Sequence, residues 1–212
     1  MSIESKARED ICRIAKSMFD RGLTRGSSGN ISVRLPDGNL LMTPTGSSFG
    51  FLDPARISLL APDMTHLGGD KPTKETPLHS AFYETRSGTG AVVHLHSSHS
   101  TALSMLPEID PDDVLPPLTP YAVMMLGKVK LLPVFLPGDP EMGEAVRGLA
   151  GKRTAVLLAN HGPVVAGKDI WAASFAMEEL EETAKLALMT RGMDPRILTA
   201  EQVKALQDKY PS

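Results

Sequence analysis

Apolar residues recur at three- and four-residue spacing between Ser5 and Arg21, where Ile11, Ile14, Ala15 and Met18 share one side; this predicts an amphipathic helix closed by Gly22. A small-residue turn over Thr24–Ser28 then runs into a strand ending near Arg34, and Pro36-Asp37-Gly38-Asn39 reads as a hairpin turn returning through Leu40-Leu41-Met42. Ile57–Leu60 is a further short strand, and Leu67-Gly68-Gly69-Asp70 reads as a turn. Leu78, Ala81 and Phe82 predict a helix over 75–85, Ala91–Leu95 a buried strand, and Ala102, Leu103 and Met105 a helix stopped by Pro107. The proline- and aspartate-rich stretch 107–120 is an irregular connection, and 121–126 and 129–134 are apolar runs. After the turn 136–140 come a helix over 141–149, a strand over 155–158 and a returning strand over 164–167. From Asp169, the apolar set Ile170, Ala173, Phe175, Met177, Leu180 and Ala184 describes a long helix. Many short strands with hairpins at the start, and helices before, between and after, predict one α/β domain over residues 1–212. Its core is a mixed, mostly antiparallel sheet covered by helices on both faces.

Within this pattern Val92-Val93-His94-Leu95-His96 stands apart. A strand alternates faces, so His94 and His96 point one way while Val93 and Leu95 point the other. Two imidazoles on one face make a ready chelate. The segment Lys71–His79 upstream offers a carboxylate in Glu75, and Leu157–Pro163 downstream offers a third imidazole in His161. Three histidines at strand ends suit a catalytic Zn²⁺ that keeps an open coordination position, with Mn²⁺ or another divalent ion as alternatives. Glu75 falls at a helix start, where the dipole favours an ionised carboxylate.

Composition narrows the picture further. The chain has 212 residues, a net charge of −3 and a single cysteine, Cys12. The charge argues against nucleic-acid or membrane-surface binding and leaves a small molecule as the expected partner. One cysteine permits no intramolecular disulfide and no thiolate cluster, so a metal must be held by His and carboxylates, and a reducing cytoplasm is the expected location. No segment has the apolar length of a membrane span, and no signal-peptide pattern begins the chain. The small, hydroxyl-rich loops 24–30 and 43–48 can converge N–H groups and hydroxyls on one anion. Each alone reads better as a simple turn; together with Thr73 and Lys74 the balance shifts toward an anion site. His66, His79 and His99 read as ordinary satisfied histidines, and Glu178, Glu179, Glu181 and Glu182 as a solvated helix face.

Five motifs occur in order along nearly the whole chain: Gly29-Asn30-Ile31-Ser32-Val33-Arg34, Thr43-Pro44-Thr45-Gly46, Pro72-Thr73-Lys74-Glu75, His94-Leu95-His96 and Asn160-His161-Gly162. In these the chain resembles the class II aldolase/adducin family. The resemblance implies a three-layer α/β/α sandwich and a homotetramer with active sites between subunits. It also implies a divalent metal on His94, His96 and His161, Glu75 as the acid/base, and a phosphate pocket of Ser28, Asn30, Thr45, Gly46 and Thr73. Two departures stand out. Lys74 occupies the family's second phosphate-loop serine position, and the tyrosine that protonates the aldehyde oxygen in the aldolases is replaced where Pro133-Val134 aligns; Tyr121 is the nearest aromatic hydroxyl in sequence. Lys74 is accordingly assigned to an anionic end of the substrate. Loss of CO₂ from a β-keto acid needs no acid on an aldehyde oxygen, so the missing tyrosine favours decarboxylation. The longer motifs, Gly26–Asn30, Asp70–Glu75, Leu118–Tyr121 and Leu136–Pro140, resemble the branch that converts a 3-oxo-tetronate 4-phosphate to dihydroxyacetone phosphate and CO₂. The alternatives are a fuculose-phosphate-like sugar-phosphate aldolase and a non-catalytic adducin-like domain.

Overall fold

The computed structural model describes residues 2–210. Eight strands form one sheet in the order β4-β3-β2-β1-β5-β8-β7-β6. They are β1 (Asn30–Arg34), β2 (Leu40–Met42), β3 (Ser58–Leu60), β4 (His66–Gly68), β5 (Ala91–His94), β6 (Lys130–Leu132), β7 (Ala155–Leu158) and β8 (Gly162–Gly167). Every neighbouring pair is antiparallel except β6 with β7. The helices are α1 (Ile3–Asp20), α2 (Thr76–Thr85), α3 (Ser98–Leu103), α4 (Pro120–Leu126), α5 (Glu141–Arg147), α6 (Ile170–Met189) and α7 (Ala200–Lys209).

The period-two alternation of the strands separates two cores. Ile31, Leu41, Ala91, Val93, Leu157 and Val165 pack with α1, α4 and α6 on one face. Leu40, Met42, Val92, Val156, Leu158 and Val164 pack with Leu78, Ala81 and Phe82 of α2 and Met142 and Val146 of α5 on the other. The mixed, mostly antiparallel sheet between helical layers is the architecture the hydrophobic pattern predicts. Capping sharpens the helix ends: Asp169 accepts from Ala172 N at the start of α6, and Thr119 does the same for α4 through Ala122 N.

The structure corrects the sequence reading at four places. Residues 66–68 form an edge strand rather than a turn, pairing with β3 through a bulge. Phe175 lies on the outer face of α6, 53% exposed. Glu181 is buried rather than solvated, because its turn of α6 faces the start of α3. The C-terminal α7, opened by a Thr199/Gln202 capping box, has no buried residue, so no apolar stripe announces it.

Candidate active site

The site lies at the end of β5, on the α2 side of the sheet. His94 is the last residue of β5 and pairs with Asn30 of β1 on one side and Val164 of β8 on the other. Two glycines let the flanking backbones close on this strand end. A Cβ on Gly162 (φ 153°) would stand 2.1 Å from Leu95 O, and one on Gly29 (φ 86°) would stand 2.9 Å from His94 O. Only glycine accepts both the dihedral and the approach. Asn160, at φ 56°, turns the chain left-handed just before His161.

These turns bring three imidazoles together. His161 Nε2 lies 3.0 Å from His96 Nε2 and 3.3 Å from His94 Nε2. The His94 Nδ1–H donates to Pro163 O at 2.9 Å, the tautomer that in a neutral imidazole leaves the Nε2 lone pair aimed at the other nitrogens. Lone pairs that close repel unless a cation lies among them. Nitrogens about 2.0–2.1 Å from a tetrahedral ion stand roughly 3.3 Å apart, so this donor set fits a divalent ion. Burial pushes the His96 and His161 imidazoles down to about 4, with His94 adding to the effect in both, which keeps them neutral and able to ligate.

Glu75 closes the fourth side. Its Oε2 lies 3.4 Å from His94 Nε2 and its Oε1 3.5 Å from His161 Nε2. It is the N-cap residue of α2 but makes no capping bond; the side chain turns toward the imidazoles instead. Burial raises its pKa, yet His94, the hydrogen bond from Asn30, and then His161 and His79 together outweigh burial and leave it below the ordinary carboxylate value.

The expected phosphate residues are less uniformly placed. The loops carrying them are laced together by Thr45 N to Lys71 O and Thr73 N to Thr43 O bonds. Thr45 and Gly46 line a cavity of about 240 Å³ with Ser47, Ser48, Arg56 and Asp70, whereas Ser28, Asn30, Thr73 and Lys74 do not line it. Ser28 Oγ donates to Arg25 O, and Thr73 Oγ1 accepts from Glu75 N. The Asn30 amide is committed to Glu75 Oε2 at 2.7 Å. Lys74 is exposed and backed by Gly138 of the 136–140 turn. Tyr121 is 64% exposed on α4. The residue that sequence reasoning missed is His79, fully buried and bonded to Asn30. Its signal was the four-residue step from Glu75, which places both on one face of α2.

Residues 9–188 match the family model described as Class II Aldolase and Adducin N-terminal domain. The chain belongs to the class II aldolase and adducin family. It is 50% identical over 205 residues to the 3-oxo-tetronate 4-phosphate decarboxylase of Escherichia coli (strain K12), covering 97% of both chains. It is 38% identical over 178 residues to the L-fuculose phosphate aldolase of Methanococcus maripaludis, covering 84% of this chain and 93% of that one. Among solved structures, YgbL from Escherichia coli superposes with a TM-score of 0.95 at 48% identity, covering 97% of this chain and 100% of that one. An L-fuculose 1-phosphate aldolase superposes at 0.86 with 25% identity, covering 100% of this chain and 98% of that one. The family fold thus agrees with the three-layer α/β arrangement seen here.

Proposed function

We propose that this chain is a metal-dependent carboxy-lyase that converts a 3-oxo-tetronate 4-phosphate to dihydroxyacetone phosphate and CO₂. The observation that carries the reading is the Glu75 carboxylate facing three converging imidazole nitrogens. The substrate rests on the kinship with the decarboxylases, at 46–51% identity over 88–97% of this chain for five of them. His94, His96 and His161 would hold the divalent ion, most simply Zn²⁺. Bound there, it supplies Lewis acidity toward the oxygen on which negative charge develops.

The remaining work falls to the chain's own groups. When the C1–C2 bond breaks, its electron pair moves into C2–C3 and onto the C3 oxygen, and C1 leaves as CO₂. C2 must then take up one proton, which Glu75 collects from water and delivers. Asn30 holds the carboxylate in place for that transfer. Thr45, Gly46, Thr73, Ser28 and Lys74 are proposed to bind the anionic groups; Thr45 and Gly46 present theirs in an open cavity. Asn30 is proposed to serve Glu75 first, with any phosphate contact secondary. The Pro133-Val134 step carries no hydroxyl, in keeping with a reaction that needs no acid on an aldehyde oxygen.

A homotetramer in the cytoplasm completes the reading. Phe51, Val134 and Leu136 are large apolar groups left 84%, 63% and 77% exposed, as subunit contacts require. Among the described residues, no helix is long and apolar enough to cross a membrane. The test offers the purified, metal-loaded protein 3-oxo-tetronate 4-phosphates and ketose 1-phosphates, and measures dihydroxyacetone phosphate together with CO₂. Equimolar CO₂ and dihydroxyacetone phosphate are expected. Dihydroxyacetone phosphate released with an aldehyde, and without CO₂, would replace the reading by a sugar-phosphate aldolase.

A further inference from the structure

Glu75 at the N-cap of α2 and His79 and Tyr83 within it are spaced four apart, and Asn30, Ser32 and Arg34 two apart on β1. Four residues of helix advance about 6 Å and two of strand about 6.6 Å, so the two rows run nearly in step. They meet rung by rung. Asn30 bonds both Glu75 and His79, Ser32 bonds both His79 and Tyr83, and Arg34 lies over the Tyr83 ring and donates to Tyr83 O. Asn30, Ser32, His79 and Tyr83 are each at least 95% buried, so water does not intervene to relax the network.

The direction of every bond in this chain follows from its end. An ionised carboxylate only accepts, so the group of Asn30 at 2.7 Å from Glu75 Oε2 is the amide NH₂. Asn30 Oδ1 then faces His79 Nε2 at 2.5 Å and can only accept, so His79 carries its proton on Nε2. Nδ1 is left as an acceptor and takes the Ser32 hydroxyl proton at 2.7 Å; Ser32 in turn accepts from Tyr83 at 2.8 Å. Reversing any member leaves two donors or two acceptors opposed in a dry interior, which costs about 1–3 kcal/mol per unsatisfied group. The Glu75 carboxylate sets the orientation of the Asn30 amide, and His79 Nε2–H satisfies and anchors the Oδ1 that this orientation turns inward.

We infer that His79 is a positioning residue. As its Nε2–H tautomer, with Nδ1 accepting from Ser32, it pins the Asn30 Oδ1 and so steadies the amide whose NH₂ holds the Glu75 carboxylate facing the three imidazoles. The inference rests on the reading of Glu75 as proton carrier.

Two measurements test it. In the zinc-loaded protein with ¹⁵N-labelled histidine, long-range ¹H–¹⁵N spectra assign the His79 tautomer directly. The Nε2–H form is expected, and the Nδ1–H form or an imidazolium overturns the inference. The second is a double-mutant cycle. His79→Phe should keep the metal stoichiometry and KM but lower kcat about 10- to 100-fold, the usual cost of losing a partner behind a functional side chain. In the Glu75→Gln background the same change should have little further effect, because its target is already gone. An equal fold-loss in both backgrounds makes His79 merely structural and overturns the inference. Near-normal turnover of Glu75→Gln alone sinks the Glu75 reading instead, while the tautomer measurement still decides how His79 is held.

Discussion

Two buried glutamates occupy opposite faces of the sheet, and they have become different kinds of group. Glu75 and Glu181 are each only 6% exposed, and in each burial raises the pKa while hydrogen bonds and neighbours bring it below the ordinary value. Glu181 is saturated. Its Oε1 accepts from His99 N and His99 Nδ1, and its Oε2 from Ser100 N and Ser100 Oγ, all at 2.6–2.9 Å. It fastens α6 to the first turn of α3. Glu75 receives one such bond, from Asn30, and otherwise faces the nitrogens of His94 and His161 at 3.4–3.5 Å. A carboxylate with filled lone pairs is an anchor; one with open lone pairs beside a cation site is available for proton transfer. Burial and pKa direction alone do not separate the two. The count of donors does.

The contrast can be broken most severely at the imidazoles. His94→Ala or His161→Ala should strip the metal and abolish turnover, read by elemental analysis of the folded protein; full metal occupancy in both variants would discard the ligand set. Next in size, Glu75→Gln should retain the metal and lower turnover by about two to four orders of magnitude, with little change in melting temperature. A large fall in stability there would mean Glu75 is an anchor after all.

Glu181→Ala should show the reverse. Removing the acceptor of four donors, two of them on buried Ser100, should cost about 3 kcal/mol, or roughly 6–12 °C in Tm for a chain of this size, with kcat nearly unchanged. Because the folded-state pKa of Glu181 is depressed, its contribution is present above the unfolded value. It is lost as pH falls through the folded one. Thermal unfolding followed from neutral to acid pH should therefore show a shallower acid loss in the variant than in the parent, and parallel curves would contradict the assignment. The smallest effect belongs to Glu182, one residue along the same acidic run, exposed and paired with Lys185 at 3.3 Å. Glu182→Gln should shift stability by no more than about 0.5 kcal/mol by chemical denaturation.

Much of this was legible along the chain. The strands β1, β2, β3, β5, β7 and β8 and the helices α1, α2, α3, α5 and α6 follow from short apolar runs between turn residues and from helical spacing, signals that need only neighbouring residues to be read. His94, His96 and His161 announced themselves as polar groups at the ends of apolar strands, and Glu75 as a carboxylate at a helix start. Four features escaped. Strand β4 is short and exposed, and α7 lacks a buried face, so neither carries the apolar signal that periodicity detects. Phe175 looked like core and faces outward, while Glu181 looked solvated and is enclosed.

Local pattern thus determined the elements, the two faces of the sheet and which residue types were available for chemistry. Only the tertiary structure decided what each buried polar group does, because its partners come from elsewhere in the chain. Asn30 meets Glu75 and His79 across separations of 45 and 49 residues, and Glu181 meets His99 and Ser100 across 82 and 81. Hydrophobic burial is non-directional and leaves a period in the sequence, whereas hydrogen-bond satisfaction is directional and pairwise and becomes fixed only when distant segments pack.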